Sequence, residues 1–307
     1  MKISCYIPGD TDTNSWVIGL RNALPQAEVH RWEAGSQAAD YAVVWQPTQA
    51  FFDGQPRLKA IFNAGAGVDS LIGLRLPSGI PVVRLEDAGM AAQMSEYVAH
   101  AVLRHFRQFD RYSIQAKAQQ WKAHEPRRKA DFSIGILGFG VLGQAVGQTL
   151  QALGFPVHAW TRMPRAQAQF QVFSGQDTLP AFLAATRILV CLLPLTPATQ
   201  GIINRATLSR LQRDSYLINV ARGAHVSEED LMWALDNGLL AGATLDVCMQ
   251  EPLPEQHPFW RYPNIDLTPH IAAATLHDEA IAQIAAKIQA LEQSQHISGS
   301  VHPERGY

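Results

Sequence analysis

Three side chains able to do acid–base and electrophilic chemistry each follow a short apolar run in the second half of the chain. Arg222 lies in Asn219-Val220-Ala221-Arg222-Gly223, Glu251 in Gln250-Glu251-Pro252-Leu253-Pro254, and His270 in Thr268-Pro269-His270-Ile271-Ala272. A guanidinium can hold a carboxylate and a carbonyl oxygen at once and polarise the carbonyl. An imidazolium can give a proton to that oxygen as hydride reaches the carbon. A carboxylate bonded to the imidazole fixes its tautomer and favours its protonated form. Singly, each has a plainer reading: a surface ion pair for Arg222, a proline turn for Glu251, a structural contact for His270. Together they fit reduction of a 2-oxo acid, which requires a bound hydride donor.

The donor's site is written in Gly138-Phe139-Gly140-Val141-Leu142-Gly143. The motif follows an alternating apolar run (Phe132, Ile134, Ile136) and opens an amphipathic segment from Val141 to Leu153. Such glycines permit a tight turn, close approach of a pyrophosphate, and tight helix–strand packing. The helix N-terminus then presents N–H groups and a positive dipole end to that anion. The next strand ends in Trp160-Thr161-Arg162, followed by Arg165, with no acid to bind ribose hydroxyls. A hydroxyl and two guanidinium groups suit the 2′-phosphate of NADP, so NADPH is expected over NADH; the plainer reading makes both arginines ordinary surface charges. A second glycine turn, Asn63-Ala64-Gly65-Ala66-Gly67-Val68-Asp69, either brings amides near a small carboxylate or simply joins strand to helix.

Positioning these groups requires an α/β framework. Strands are expected at 2–7, 41–45, 60–63, 82–85, 132–137, 156–160, 188–193, 216–220, 243–247 and 265–268, with helical periodicity between many of them. Ligands of such open sheets bind beyond the carboxyl ends of the strands, where Arg222, Glu251 and His270 all lie. A long polar helical stretch from about Ala91 to Lys122 separates two strand-rich blocks. Beyond it, Lys122, Arg127, Arg128 and Lys129 read as a solvated connection, and the region from Thr275 as a closing helix and polar tail.

Composition narrows the classes further. The 307 residues are 47% apolar and 17% charged with a formal net charge of −2, which suits two packed domains and excludes dominant disorder. That charge gives no footprint for nucleic acid. The longest uninterrupted apolar run, Ile188 to Leu193, falls far short of the about 20 residues of a spanning helix. Cys5, Cys191 and Cys248 are far apart, with no metal-ligand spacing, so neither disulfides nor a metal site is expected. The opening Met1-Lys2-Ile3-Ser4-Cys5-Tyr6-Ile7 reads as a strand rather than a signal peptide, and the expected location is the cytoplasm.

The ordered set of Gly65-Ala66-Gly67-Val68-Asp69, Gly138 to Gly143, Asn219 to Gly223, Leu245-Asp246-Val247, Glu251 to Pro254 and Thr268 to Ala272 resembles the D-2-hydroxyacid dehydrogenases. Asp87-Ala88-Gly89-Met90, Trp160-Thr161-Arg162 and Arg305-Gly306-Tyr307 look most like the glyoxylate/hydroxypyruvate reductase A branch, although Met163 to Gln167 is less basic and less serine-rich than that branch. The resemblance implies two doubly wound parallel-sheet domains, a Rossmann-type cofactor domain (99–274) inserted into a flavodoxin-like substrate domain (1–98 and 275–307). It implies that Arg222 binds substrate, that Glu251 orients His270, and that His270 is the acid/base. The amides of Ala66 and Gly67 would hold the substrate carboxylate, and Asp246 would contact the nicotinamide carboxamide. Leu193, Pro194 and Thr199 would line the cofactor cleft beside Gly138, Gly140, Val141, Leu142 and Gly143. Trp45 and Met90 stand where that branch lines its substrate pocket, while the residues alone read both as packing. The implied protein is a homodimer acting on a small 2-oxo acid. A dinucleotide-sensing, corepressor-like regulator on the same fold is the competing reading.

Overall fold

The structure is a computed structural model describing residues 1–164 and 169–301. The chain divides into two compact units, Met1–Met90 with Thr275–Tyr307, and Ala91–Ala274. The first seam falls between residues 90 and 91, at the start of a helix, where the sequence suggested 98/99.

The first unit begins with β1 (Lys2–Tyr6), α1 (Asp10–Ala23), β2 (Glu28–Arg31), β3 (Tyr41–Val44), α2 (Gln49–Asp53), β4 (Ala60–Asn63) and β5 (Val82–Val83). β3 and β4 bury every residue, as strands covered on both faces must.

The second unit continues with α3 (Met90–Phe106), α4 (Phe109–Lys117), β6 (Ile134–Leu137), α5 (Val141–Ala152), β7 (Val157–Thr161), β8 (Gln171–Ser174), α6 (Leu179–Ala184) and β9 (Ile188–Cys191). It ends with α7 (Arg205–Leu208), β10 (Ser215–Asn219), α8 (Glu228–Asp236), β11 (Leu240–Leu245) and β12 (Ile265–Leu267). The sheet runs β8-β7-β6-β9-β10-β11-β12 with every pairing parallel. This is the Rossmann strand order with one further strand, and its direction of progression reverses between β6 and β9. α5 covers the sheet with Gly143, Val146, Gly147 and Leu150, a helical-period stripe.

The chain then returns to the first unit as α9 (His277–Glu292) and β13 (Ser300–Val301). A side chain at Gly19 would push the tip of Ile281 aside, so a glycine there lets α1 and α9 pack with Ile281 in place. The sheet runs β13-β5-β4-β3-β1-β2, the flavodoxin order edged by an antiparallel β13. Two doubly wound sheets are thus present, as expected.

Three strands escaped the sequence reading, β2, β8 and β13, and all three lie at sheet edges. Edge strands are partly solvated, so Glu28–Arg31 and Gln171–Ser174 show no apolar run. The long helical stretch is a correction. It breaks at Gln108, which is left-handed at φ 59° and buried, its side-chain amide donating to the Glu125 carbonyl. α4 ends at Lys117 and buries no side chain. Arg127 departs from the solvated reading too: it donates to the His105 carbonyl and lies 5.1 Å from the Phe132 ring centre. Among the described residues no helix is long and apolar enough to cross a membrane.

Leu150 is fully buried under α5, whereas Gln148 on the same helix is exposed. Leu150→Ala should cost about 2–5 kcal/mol in urea unfolding and Gln148→Ala less than about 0.5 kcal/mol; equal effects would contradict this packing.

Candidate active site

The three glycines after β6 are glycine for different reasons. Gly138 has φ +96°, and a Cβ there would stand 2.6 Å from the Leu192 carbonyl oxygen. A Cβ on Gly143 would collide with the Gly138 carbonyl, so the helix could not close on the turn. Gly140, at φ −75°, has nothing within 4 Å of its would-be Cβ. Neither backbone nor neighbours demand a glycine there, so the open space suits an incoming group. α5 starts at this point with no acid in its first turn and no side-chain cap; Val141 is exposed and Leu142 half-buried. The arrangement fits a pyrophosphate at a helix N-terminus.

β7 pairs with β6 and ends at Thr161, so the following turn opens at the same sheet edge. The Thr161 hydroxyl donates to the Met163 carbonyl at 2.8 Å and stands 3.2 Å from that of Ser174. Arg162 is exposed in that turn, while Arg165 lies outside the described residues. After β9, Leu193 is buried in the core and Pro194 is exposed. Thr199 is buried beneath them, donating to the Pro194 carbonyl at 2.7 Å and accepting from the Thr196 amide at 2.9 Å. It shapes this loop from below.

β10, β11 and β12 are parallel neighbours, so Arg222, Glu251 and His270 follow strands that end at one edge. Glu251 Oε2 lies 2.8 Å from His270 Nδ1, with the two side chains 40% and 44% exposed. His270 is left-handed at φ +56°, a conformation that must be held in place. Asp246 holds it: the carboxylate is 2% exposed and accepts from the Ile271 and Ala272 amides and the Thr268 hydroxyl, at 2.8, 2.8 and 2.7 Å. The hydroxyls of Tyr97 and Thr268 are bonded as well.

The Arg222 turn is built by residues that sequence reasoning missed. Asn219 donates to the Arg222 carbonyl at 2.9 Å and accepts from the Ala221 amide at 3.2 Å. The Arg222 amide donates to Nδ1 of fully buried His225 at 3.2 Å, and His225 Nε2 stands 3.3 Å from the Pro194 carbonyl. The guanidinium is half-buried and donates to the Ala221 carbonyl. A side chain on Gly223 would collide with the Cys248 backbone, so this turn touches the loop that carries Glu251. The only sequence signal was adjacency to the motif.

In the first unit, buried Asn63 donates to the carbonyls of Gly65 and Gly67 at 2.9 and 2.8 Å and shapes the second glycine turn. The Trp45 ring packs where a Gly65 side chain would stand. Met90 is buried; its sulfur is 3.9 Å from the Thr275 hydroxyl, which also reaches the Ala64 carbonyl at 3.4 Å. Trp45, Met90, Ala66 and Gly67 therefore cluster around one turn. Among the described residues no group of three His, Cys, Asp or Glu is placed to hold a metal ion.

Hydride transfer to or from a carbon bearing oxygen is the chemistry that uses a dinucleotide turn and a carboxylate-held imidazole together, and the class so defined is the dinucleotide-dependent oxidoreductases. The chain belongs to the D-isomer specific 2-hydroxyacid dehydrogenases, whose NAD binding domain profile matches residues 99–272. It is 47% identical to glyoxylate/hydroxypyruvate reductase A of Serratia proteamaculans and 46% identical to that of Yersinia enterocolitica, each alignment covering 100% of both chains. Among solved structures it is similar to a D-isomer specific 2-hydroxyacid dehydrogenase of Xanthobacter autotrophicus in complex with NADPH and MES, at TM-score 0.93 and 37% identity over 99% of each chain. It is also similar to the NADPH-dependent glyoxylate/hydroxypyruvate reductase of Sinorhizobium meliloti in complex with NADP and sulfate, at TM-score 0.92 and 34% identity over 100% of this chain and 99% of that one.

The glycine geometry predicts two separable effects. Gly140→Ala should keep its melting temperature and weaken dinucleotide binding by about tenfold or more in a fluorescence titration. Gly138→Ala should lose about 1–3 kcal/mol of unfolding free energy, because its left-handed turn becomes strained.

Proposed function

We propose that this protein reduces glyoxylate and hydroxypyruvate to the corresponding 2-hydroxy acids with NADPH. The observation that carries the reading is the 2.8 Å contact between Glu251 and His270 Nδ1 in a chain that matches full-length reductases of this name. When bound, NADPH supplies the hydride that the carbonyl carbon accepts. Glu251 holds the Nδ1 proton of His270, so Nε2 is the nitrogen that gives a proton to the carbonyl oxygen. Arg222 holds the substrate carboxylate and stabilises charge growing on that oxygen. The products are the 2-hydroxy acid and NADP, with the imidazole left neutral until it is reprotonated from solvent.

The remaining assignments belong to this reading. Thr161, Arg162 and Arg165 take the 2′-phosphate, and Gly138 to Gly143 the pyrophosphate. Leu193, Pro194 and Thr199 line the cofactor site, and Asp246 reaches the carboxamide while anchoring the His270 loop. Ala66 and Gly67 give amides to the substrate carboxylate, with Trp45 and Met90 limiting its size. Free thiols suit a cytoplasmic location: burial pushes Cys5 and Cys191 up to about 12, and burial with nearby Glu228, Glu251 and Asp246 raises Cys248 to about 11. A dinucleotide-sensing regulator is not favoured, because the chain keeps the whole reducing constellation and its full-length relatives bear reductase names.

A homodimer is part of the proposal. α4 buries none of its side chains, and Phe109, Ile114 and fully exposed Trp121 give that segment apolar surface suited to a second copy. Sedimentation equilibrium should give twice the chain mass, and a strict monomer would end this part.

Initial rates with each 2-oxo acid should be faster with NADPH than with NADH, and Arg162→Ala should narrow that preference about tenfold. His270→Ala should lower kcat by about 100-fold or more with little change in KM, whereas Arg222→Ala should damage both. No turnover by the unsubstituted protein, shown to bind NADPH, would overturn the assignment.

A further inference from the structure

A second carboxylate–imidazole pair stands beside the one assigned to proton transfer. His257 Nε2 lies 3.2 Å from Oε2 of Glu228, the first residue of α8. These side chains are more sheltered, at 16% and 24% exposed. The Phe259 amide donates to His257 Nδ1 at 3.3 Å, so the ring proton sits on Nε2 and is donated to Glu228. The other Glu228 oxygen, Oε1, accepts from the Met249 amide at 3.3 Å. One carboxylate therefore ties both ends of the 248–257 loop to the start of α8.

That loop carries Glu251, and no side chain in it is buried. Cys248 and Leu253 pack against the core of the second unit, whereas residues 249–252, which include Glu251, are exposed and take their place from hydrogen bonds. The neighbouring residue is the next link: the Cys248 amide donates to Glu251 Oε1 at 3.1 Å, while Oε2 faces His270 Nδ1. On its other side, the Cys248 backbone rests against Gly223, next to Arg222. The contacts run unbroken from Glu228 through Met249 and Cys248 to Glu251 and His270.

We propose that Glu228 and His257 are positioning residues of the reductase, a clamp that holds the Glu251 carboxylate at His270 Nδ1 in register with the Arg222 turn. The proposal rests on the assignment of His270 as proton donor. Its physical content is tautomer control. With Glu251 in place, neutral His270 keeps its proton on Nδ1 and presents Nε2 to substrate. With the loop released, the ring is free to take the other tautomer, and the carboxylate no longer supports the proton being delivered.

The test compares Glu228→Ala and His257→Phe in the full chain. His257→Phe removes one of the two ties while keeping the Glu228 carboxylate and its bond from the Met249 amide. The first readout is the ¹⁵N spectrum of histidine-labelled protein at alkaline pH, with the His270 signals assigned through His270→Gln. The second is the division of effect between kcat and KM. Both variants should move His270 from the Nδ1–H toward the Nε2–H form. Both should lose on the order of tenfold or more in kcat, with substrate KM and NADPH affinity held. An unmoved tautomer with unchanged kcat in both variants would overturn the clamp. So would a kcat loss in Glu228→Ala alone with the tautomer unmoved, which would mark a charge effect. Absence of turnover in the unsubstituted protein would defeat the assigned reaction instead, and the His270 spectrum would still decide whether the clamp exists.

Discussion

In a parallel sheet every strand leaves by the same edge, so every turn that follows a strand opens at one end of that sheet. The second unit is built on this constraint. Gly138 follows β6, Arg162 follows β7, Leu193 follows β9, Arg222 follows β10, Asp246 follows β11 and His270 comes shortly after β12. Residues far apart in the chain share an edge without any direct contact having to gather them. The requirement that comes with it is burial on both faces, and β6, β9 and β10 meet it by burying every residue they contain.

The sheet brings the turns to one edge, and buried polar groups then give them their shapes. Asp246 is a carboxylate almost wholly removed from water, which is unfavourable unless donors surround it. The Ile271 and Ala272 amides and the Thr268 hydroxyl provide them, and in doing so they bend the chain into the left-handed conformation of His270. His225 and Asn219 act likewise on Arg222, and Asn63 on the turn at Gly65 and Gly67. In each case a loop is held from its inner side by one or two buried polar residues. That support lets a solvent-facing site keep a fixed geometry.

Much of this was legible in the chain. The glycine turn after β6 could be read because its demands are local: a left-handed residue, a close helix and an uncluttered N-terminus are satisfied within six positions. The interior strands could be read because burial on both faces writes a continuous apolar run. β2, β8 and β13 could not, since an edge strand owes its place to a neighbour's unpaired backbone rather than to its own side chains. The break at Gln108 was hidden for a related reason: the side chain that stabilises the left-handed turn finds its acceptor in Glu125, beyond any helical period.

The sequence by itself determined the class of fold and the position of the glycine turn, and it singled out Arg222, Glu251 and His270 as candidates. Each of these is encoded in residue type and short spacing. Only the tertiary structure decided what holds them. Asp246 proved to be the anchor of the His270 loop, His225 the support of Arg222, and Glu228 with His257 the tie across the loop of Glu251. Apart from the local Arg222–His225 bond, these join residues 21 to 29 positions apart, at distances set by the crossing of strands rather than by any repeat. Residue spacing therefore carries no trace of them. They exist because a buried donor or acceptor must find a partner once the sheet has formed, and only the folded chain shows which partner is within reach.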